Sequence, residues 1–121
     1  MKIYLVRHGE YQNPEGIVPY RLPGYSLSDH GKKQVELIAV KLKDQKIRAL
    51  YTSPIQRCVE SATILGNARH LYPNQKSELI EVDTPLQGIK AADLPSDIYQ
   101  DARHIEGGGE TREVVYTRMN S

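Results

Sequence analysis

Apolar residues along this chain occur either in short continuous runs or at helical spacings. Residues 3–6 form a continuous run of β-forming side chains, which predicts a strand buried on both faces of a parallel sheet. A helix is predicted next, from Ser28, a residue type that caps helix N-termini, to about Gln45. Four of its apolar residues recur at spacings of three, one and three and therefore share one face: Val35, Ile38, Ala39 and Leu42.

The second half of the chain continues the alternation of strands and helices. Residues 48–52 predict a second strand, and Ser53 with Pro54 predicts the start of a helix that ends near Gly66. A third strand is expected over residues 78–82, and residues 110–119 look helical after three glycines. Strands and helices in this order predict an α/β fold with a mainly parallel sheet and flanking helices.

A long irregular loop separates the first strand from the first helix. Residues 9–27 contain six residues that break regular structure: Gly9, Pro14, Gly16, Pro19, Pro23 and Gly24. Loops of this length are usually functional. Its large side chains are therefore candidates for contacts with a substrate's leaving group: Tyr11, Tyr20, Arg21 and Tyr25.

Composition and charge restrict the class of protein. A length of 121 residues fits one domain over residues 1–121, and a formal net charge of +1 provides no field to attract nucleic acid or an anionic membrane. The apolar run at residues 3–6 is too short for a signal peptide or a membrane span. The single cysteine, Cys58, cannot form an internal disulfide, so the cytoplasm is the expected compartment.

The ends of the predicted strands nominate one site. In parallel α/β sheets, ligands bind beyond the carboxyl ends of the strands. The first strand is followed by residues 7–10. The second strand ends in a segment at residues 52–57, and the third ends in a segment at residues 81–83. These three segments are therefore expected to meet at one edge of the sheet.

The side chains in these segments suit the transfer of a phosphoryl group without a metal. Arg7 and Arg57 carry guanidinium groups that can bind phosphate through paired hydrogen bonds. His8 can attack phosphorus through a ring nitrogen, and Gly9 beside it would let a phosphate approach the backbone. Glu81 is placed to protonate the leaving group and then to activate water.

An ordered series of motifs resembles the phosphoglycerate-mutase-like (histidine phosphatase) superfamily. The first motif is the Arg-His-Gly signature of Arg7, His8 and Gly9 directly after the first strand. The matching segments then follow in order: Leu22-Pro23-Gly24, Leu27-Ser28, Gly31, Tyr51-Thr52-Ser53-Pro54, Gln56-Arg57, Ala62, Leu79-Ile80-Glu81 and Gly108-Gly109-Glu110. The resemblance covers almost the entire chain.

The resemblance assigns a role to each candidate residue. It implies that His8 becomes the phosphohistidine, that Arg7 and Arg57 bind phosphate with Asn13 helping to line the pocket, and that Glu81 is the proton donor. No cofactor or metal is expected, and the ligand is a small phosphorylated molecule. The family's second histidine, in a Ser-His-Gly-like turn after a later strand, has no counterpart here, so the domain is expected to be incomplete, with an open sheet edge beside residues 3–6.

Several alternatives stay open at this stage. Asp83 or Glu78 could replace Glu81 as the acid, because the spacing from Glu81 to Gly88 is shorter than in mutases. A mutase would need a second anion site, for which residues 89–104 offer only Lys90 and Arg103 as firm cations. A non-catalytic phosphate-binding remnant is the alternative outside enzymes. The other histidines, His30, His70 and His104, show no metal-ligand spacing.

Overall fold

The computed structural model describes residues 1–96 and 108–121, so Arg103 and His104 lie outside the described residues. Two short 3-10 turns, at Ser77–Leu79 and Ala91–Asp93, accompany the longer elements. Those elements are, in chain order, helix α1 (Asp29–Lys41), strand β1 (Leu50–Thr52), helix α2 (Gln56–Asn67), strand β2 (Pro73–Gln75) and helix α3 (Arg112–Met119).

The strands of the described chain form a two-stranded parallel sheet. Strand β1 pairs with β2 in the register Leu50–Pro73, Tyr51–Asn74 and Thr52–Gln75. Strand β1 lies within the predicted span of residues 48–52, whereas β2 was not predicted. Its sequence, Pro-Asn-Gln, lacks β-branched and aromatic residues, so pairing with β1 rather than propensity makes it a strand. Helix α2 connects the two strands as a βαβ crossover, which confirms the α/β prediction.

Helices α1 and α2 pack against each other and form the core. Ser28 caps α1 as predicted, because its hydroxyl accepts a hydrogen bond from Gly31 N at 3.0 Å. Helix α2 begins later than predicted, with Ile55 rather than Ser53 at the N-cap. The buried core residues are Leu27, Val35, Ala39 and Leu65, with Ile38, Leu50 and Ile64 packed beside them.

Residues 3–6 do not form the predicted strand. They belong to no helix or strand, and the side chains of Ile3 and Leu5 are strongly exposed. A strand exists only where a neighbour supplies hydrogen bonds to its backbone, and no segment of the described chain pairs with this one. Residues 3–6 are therefore an exposed apolar run that belongs to no sheet of the described chain, so the sheet edge expected beside them does not form.

The predicted strand at residues 78–82 is also wrong. Ser77–Leu79 is a 3-10 turn, and the residues after it are extended without a ladder. The C-terminal helix is present but begins at Arg112, with Thr111 as its N-cap. Thr111 accepts a hydrogen bond from Val114 N, which accounts for the later start.

A glycine pair brings the chain after residues 3–6 against the start of α1. A Cβ atom on Gly9 would lie 2.4 Å from Gly31 O, and one on Gly31 would lie 1.9 Å from Glu10 O. Close approach of another backbone segment is thus one reason for glycine at position 9, and the approach of a phosphate to its backbone stays a prediction. The pair fixes the backbone next to His8 against the start of α1.

Candidate active site

His8 is oriented by backbone and hydroxyl contacts around Gly9. Its ring Nδ1 lies 2.9 Å from Gly9 O, which can only accept a hydrogen bond, so Nδ1 carries the proton. The amide of Gly9 donates to Ser61 Oγ at 3.1 Å, and Ser61 Oγ donates to Arg57 O at 2.8 Å. Helix α2 therefore holds the backbone beside His8 and leaves Nε2 with its lone pair.

Arg57 lies beside His8 and is almost completely buried, with 3% of its surface exposed. Its Nε donates to His8 Nε2 at 3.3 Å, and its Nη2 donates to Tyr20 O at 3.0 Å. Its Nη1 is buried and has no hydrogen-bond partner within residues 1–96 and 108–121. A buried charged donor without an acceptor is costly, and an anion is the natural acceptor for it.

The surroundings of His8 favour its neutral form. Burial lowers the pKa of His8 from its ordinary value of 6.5, and the positive charges of Arg57 and Arg7 lower it further. The hydrogen bond to Gly9 and the negative charge of Glu81 act in the opposite direction without cancelling this effect. Near pH 7 the imidazole therefore keeps an unprotonated nitrogen, which is the form that can act as a nucleophile.

Arg7 completes the positive charge around the histidine from the solvent side. Its side chain is exposed, and it forms no ion pair with the residues that the structure describes. Its positive charge contributes to the lowering of the pKa of His8, after burial and Arg57. The structure thus places Arg57 in contact with His8, although the strands at residues 3–6 and 78–82 on which the strand-end argument relied do not form, and the role of Arg7 stays a prediction.

Glu81 shares a cleft with Arg57 at the carboxyl side of β1. The cleft has a volume of about 160 Å³, and its lining includes Arg57, Cys58, Ile80, Glu81 and Arg118. Of the three acids considered, only Glu81 acts on the pKa of His8. Asp83 instead lies 3.9 Å from Arg21, and Glu78 accepts a hydrogen bond from its neighbour Ser77. The geometry therefore favours Glu81 among the three.

Asn13 is engaged within the loop itself. Its Nδ2 donates to Ile17 O at 2.8 Å, and its Oδ1 accepts from Ile17 N at 3.2 Å. Both polar groups of the side chain thus close a turn of the loop. Its part in the phosphate pocket stays a prediction.

Tyr11 is the loop aromatic nearest to the histidine. Its ring centroid lies 5.5 Å from that of His8 and 5.2 Å from the Cζ atom of Arg57, which is a cation–π distance. Its ring also meets Tyr25 edge-on at 6.0 Å. Tyr11 therefore packs beside the His8–Arg57 pair.

Comparison with known proteins gives the family. The profile of the histidine phosphatase superfamily (branch 1) matches residues 3–121. The chain belongs to this superfamily. It is 30% identical to phosphoserine phosphatase 1 of Hydrogenobacter thermophilus, over 98% of this chain and 61% of that protein. It is 33% identical to the 2,3-bisphosphoglycerate-dependent phosphoglycerate mutase of Thermoplasma acidophilum, over 88% of this chain and 54% of that protein.

Two solved mycobacterial structures share the fold. A mycobacterial glucosyl-3-phosphoglycerate phosphatase in complex with VO3 superposes with a TM-score of 0.74 at 23% identity, covering 93% of this chain and 60% of that one. A structure named mycobacterial hydrolase 1 gives 0.77 at 25% identity, covering 93% and 58%. The chain thus spans about 60% or less of the length of these relatives.

Three residues of this histidine phosphatase contribute to the site without having been predicted to do so. Ser61 links α2 to Gly9, and its spacing of four from Arg57 on one helix was the available signal. Glu110 and Arg118 contact the segment around Glu81 from α3 and the residues before it. The contacts of Glu110 and Arg118 with this segment could not be predicted from the sequence, because they depend on how α3 packs.

The described histidines do not supply the second histidine of the superfamily. His30 is exposed and lies 3.3 Å from a carboxylate oxygen of Glu10, and His70 is an exposed residue beyond the end of α2. Residues 1–96 and 108–121 contain no group of three or more potential metal ligands. No helix among these residues is long and apolar enough to cross a membrane.

Proposed function

We propose that this protein is a phosphomonoester hydrolase that acts on a small phosphorylated molecule through a phosphohistidine on His8. One observation carries the proposal: a buried arginine, Arg57, donates to Nε2 of a neutral histidine while its own Nη1 finds no acceptor in the part of the chain that the structure describes. A phosphoryl group supplies acceptors for both arginine nitrogens and places phosphorus next to Nε2. The family and its phosphatase members support this reading.

In the first half-reaction the Nε2 lone pair of His8 attacks phosphorus. The bond between phosphorus and the leaving oxygen breaks, and that oxygen takes the electron pair together with a proton from the carboxyl group of Glu81. Arg7 and Arg57 offset the charge on the phosphoryl oxygens. The proton stays on Nδ1 and is donated in a hydrogen bond to Gly9 O, which stabilises the positive charge that the ring gains on phosphorylation.

In the second half-reaction water attacks the phosphohistidine. The Glu81 carboxylate accepts a proton from the water as the new oxygen–phosphorus bond forms, and the nitrogen–phosphorus bond breaks with its electron pair returning to Nε2. The products are inorganic phosphate and the starting form of the enzyme. All groups that this scheme requires are side chains, so no metal takes part in it. The single free cysteine, Cys58, fits a protein of the reducing cytoplasm.

The test is trapping by an alkaline detergent quench during turnover of a radiolabelled aryl phosphate, followed by acid treatment of part of the sample. We expect an acid-labile, base-stable phosphoenzyme and unchanged turnover in excess EDTA. His8→Ala should remove both the label and the activity. His30→Ala is the matched control, because His30 is an exposed histidine away from Arg57, and it should keep both. Loss of turnover in EDTA with recovery on adding Mg²⁺ or Zn²⁺ would contradict the mechanism.

Two other outcomes correspond to the alternatives. The mutase relative favours transfer of the phosphoryl group back to a phosphorylated sugar acid, which predicts labelled sugar acid rather than labelled inorganic phosphate. A non-catalytic phosphate-binding module predicts binding of phosphate that depends on Arg57, with no phosphoenzyme at any time. Asn13→Ala in the same assays tests whether Asn13 lines the phosphate pocket.

A further inference from the structure

The segment that carries Glu81 is held by side chains rather than by a β-ladder. It lies outside every strand, so its backbone groups need other partners. Arg118 Nη1 donates to Glu78 O at 2.5 Å and to Ile80 O at 3.0 Å. Arg21 Nε donates to Glu81 O at 2.6 Å. Two arginines from distant parts of the chain therefore fix the backbone on both sides of Ile80.

Glu110 joins these two arginines to the same segment. Its Oε2 lies 2.9 Å from Nη2 of Arg21 and 2.9 Å from Nη2 of Arg118, and it accepts from Asp83 N at 3.1 Å. Its Oε1 accepts from Arg118 Nε at 3.2 Å, and its backbone amide donates to Asp83 O at 2.9 Å. We call Arg21, Glu110 and Arg118 the Glu110 cluster.

The Glu110 cluster is shielded and its charges are matched. The side chains of Arg21, Glu110 and Arg118 are 26%, 15% and 17% exposed. The hydrogen bonds from Arg118, the Asp83 amide and Arg21 outweigh burial and lower the pKa of Glu110 to about 2. The carboxylate thus stays ionised throughout the physiological range and keeps both arginines in place.

The cluster also reaches the phosphate site through the long loop. Tyr20 O accepts from Arg57 Nη2, and the next residue, Arg21, holds Glu81 O. Two adjacent loop residues therefore hold the phosphate-binding arginine and the segment of the acid. Tyr20 has a φ of 36°, in the left-handed region, so the backbone turns sharply between these two contacts.

We propose that Glu110, acting through Arg21 and Arg118, is a positioning residue that sets the Glu81 carboxyl group against the phosphate site. The inference rests on the proposed role of Glu81 as acid. A general acid has to stand within hydrogen-bond reach of the leaving oxygen. The Glu81 side chain is exposed. Among the described residues, the hydrogen bond to its Oε1 comes from the amide of the adjacent residue, Val82. The position of the Glu81 carboxyl group is therefore set by the position of the Glu81 backbone.

The kinetic test compares Glu110→Gln with Glu113→Gln. Glu113 is exposed in the first turn of α3, so the control removes the same charge nearby without touching the cluster. Glu110→Gln should lower kcat for an alkyl phosphate by about tenfold or more, because a poor leaving group needs the acid. With p-nitrophenyl phosphate, whose leaving group needs little protonation, kcat should change by less than about threefold, and the affinity for inorganic phosphate should not change.

A double variant separates positioning from a general structural effect. If Glu110 acts through Glu81, adding Glu110→Gln to Glu81→Gln should cause no further loss with the alkyl phosphate. Equal losses with both substrates, or a full additional loss in the Glu81→Gln background, would overturn the inference. If Glu81→Gln itself affects both substrates equally, the proposed role of Glu81 fails instead.

Amide hydrogen exchange gives a readout that does not depend on activity. In Glu110→Gln the amides of Val82 and Asp83 should exchange at least about tenfold faster, while those of α1 keep their rates. Glu113→Gln should leave both sets unchanged. Unaltered exchange at Asp83 in Glu110→Gln would show that the segment is held by other contacts, and the inference would then be wrong.

Discussion

Glu110→Gln should destabilise the protein at neutral pH, and the loss should fade in acid. The change removes the negative charge that Arg118, the Asp83 amide and Arg21 surround, while the shape of the side chain is kept. A fall in pKa from 4.5 to about 2 corresponds to at most about 3.4 kcal/mol at about 1.4 kcal/mol per tenfold change in proton affinity. Solvent screening of a partly exposed network reduces this to about 2 kcal/mol.

The sign follows from linkage between protonation and folding. The folded-state pKa is depressed, so the stabilisation is complete well above pH 4.5 and is lost as pH falls towards 2. Urea unfolding followed by circular dichroism should give a wild-type advantage of about 2 kcal/mol at pH 7, of which roughly half is gone by pH 3.5. Glu113→Gln should show no such trend. An advantage that stays constant between pH 7 and 3.5 would refute the reasoning.

Two further predictions concern the residues around His8. Titration of the His8 ring by NMR should give a pKa below 6.5. Arg57→Met should raise this pKa more than Arg57→Lys does, because lysine keeps the positive charge. A wild-type pKa at or above 6.5 would contradict the described surroundings. Ser61→Ala should lower the free energy of unfolding in urea by about 1–3 kcal/mol, because the buried Gly9 amide loses its acceptor. Thr63→Ala, which removes a similar but exposed hydroxyl bond on the same helix, should stay within about 0.5 kcal/mol of wild type.

Signals carried by neighbouring residues predicted the helices well. The start of helix α1 after Ser28 was predictable because the capping hydrogen bond joins Ser28 to Gly31, only three residues away. The buried face of the helix contains Val35 and Ala39, as expected. Helix α2 was located correctly because Ile55 and Ala62 lie on its inner face. The boundaries moved by a few residues, since fraying and local capping compete at helix ends.

Strands were predicted less well, because a strand depends on a partner distant in sequence. Residues 3–6 have the composition of a buried strand but no pairing segment among the described residues, so they remain extended and exposed. The segment Pro73–Gln75 has a poor composition but lies beside β1 and pairs with it. Hydrogen bonding to a neighbour overrides propensity in both cases.

The sequence by itself determined which reactive and charged side chains are available to the site: those of the Arg-His-Gly motif, of Arg57 on the second helix and of Glu81 after it. Its local patterns also determined the helix that carries Arg57. Only the tertiary structure decided that Arg57 is buried against His8 Nε2, that Asn13 closes its own loop, and that Glu110 holds the segment of Glu81 through two arginines. The reason is physical: helix signals act over three or four residues, whereas the burial of Arg57 against His8 and the contacts of Glu110 with Asp83 and Arg21 join groups that are 27 to 89 residues apart.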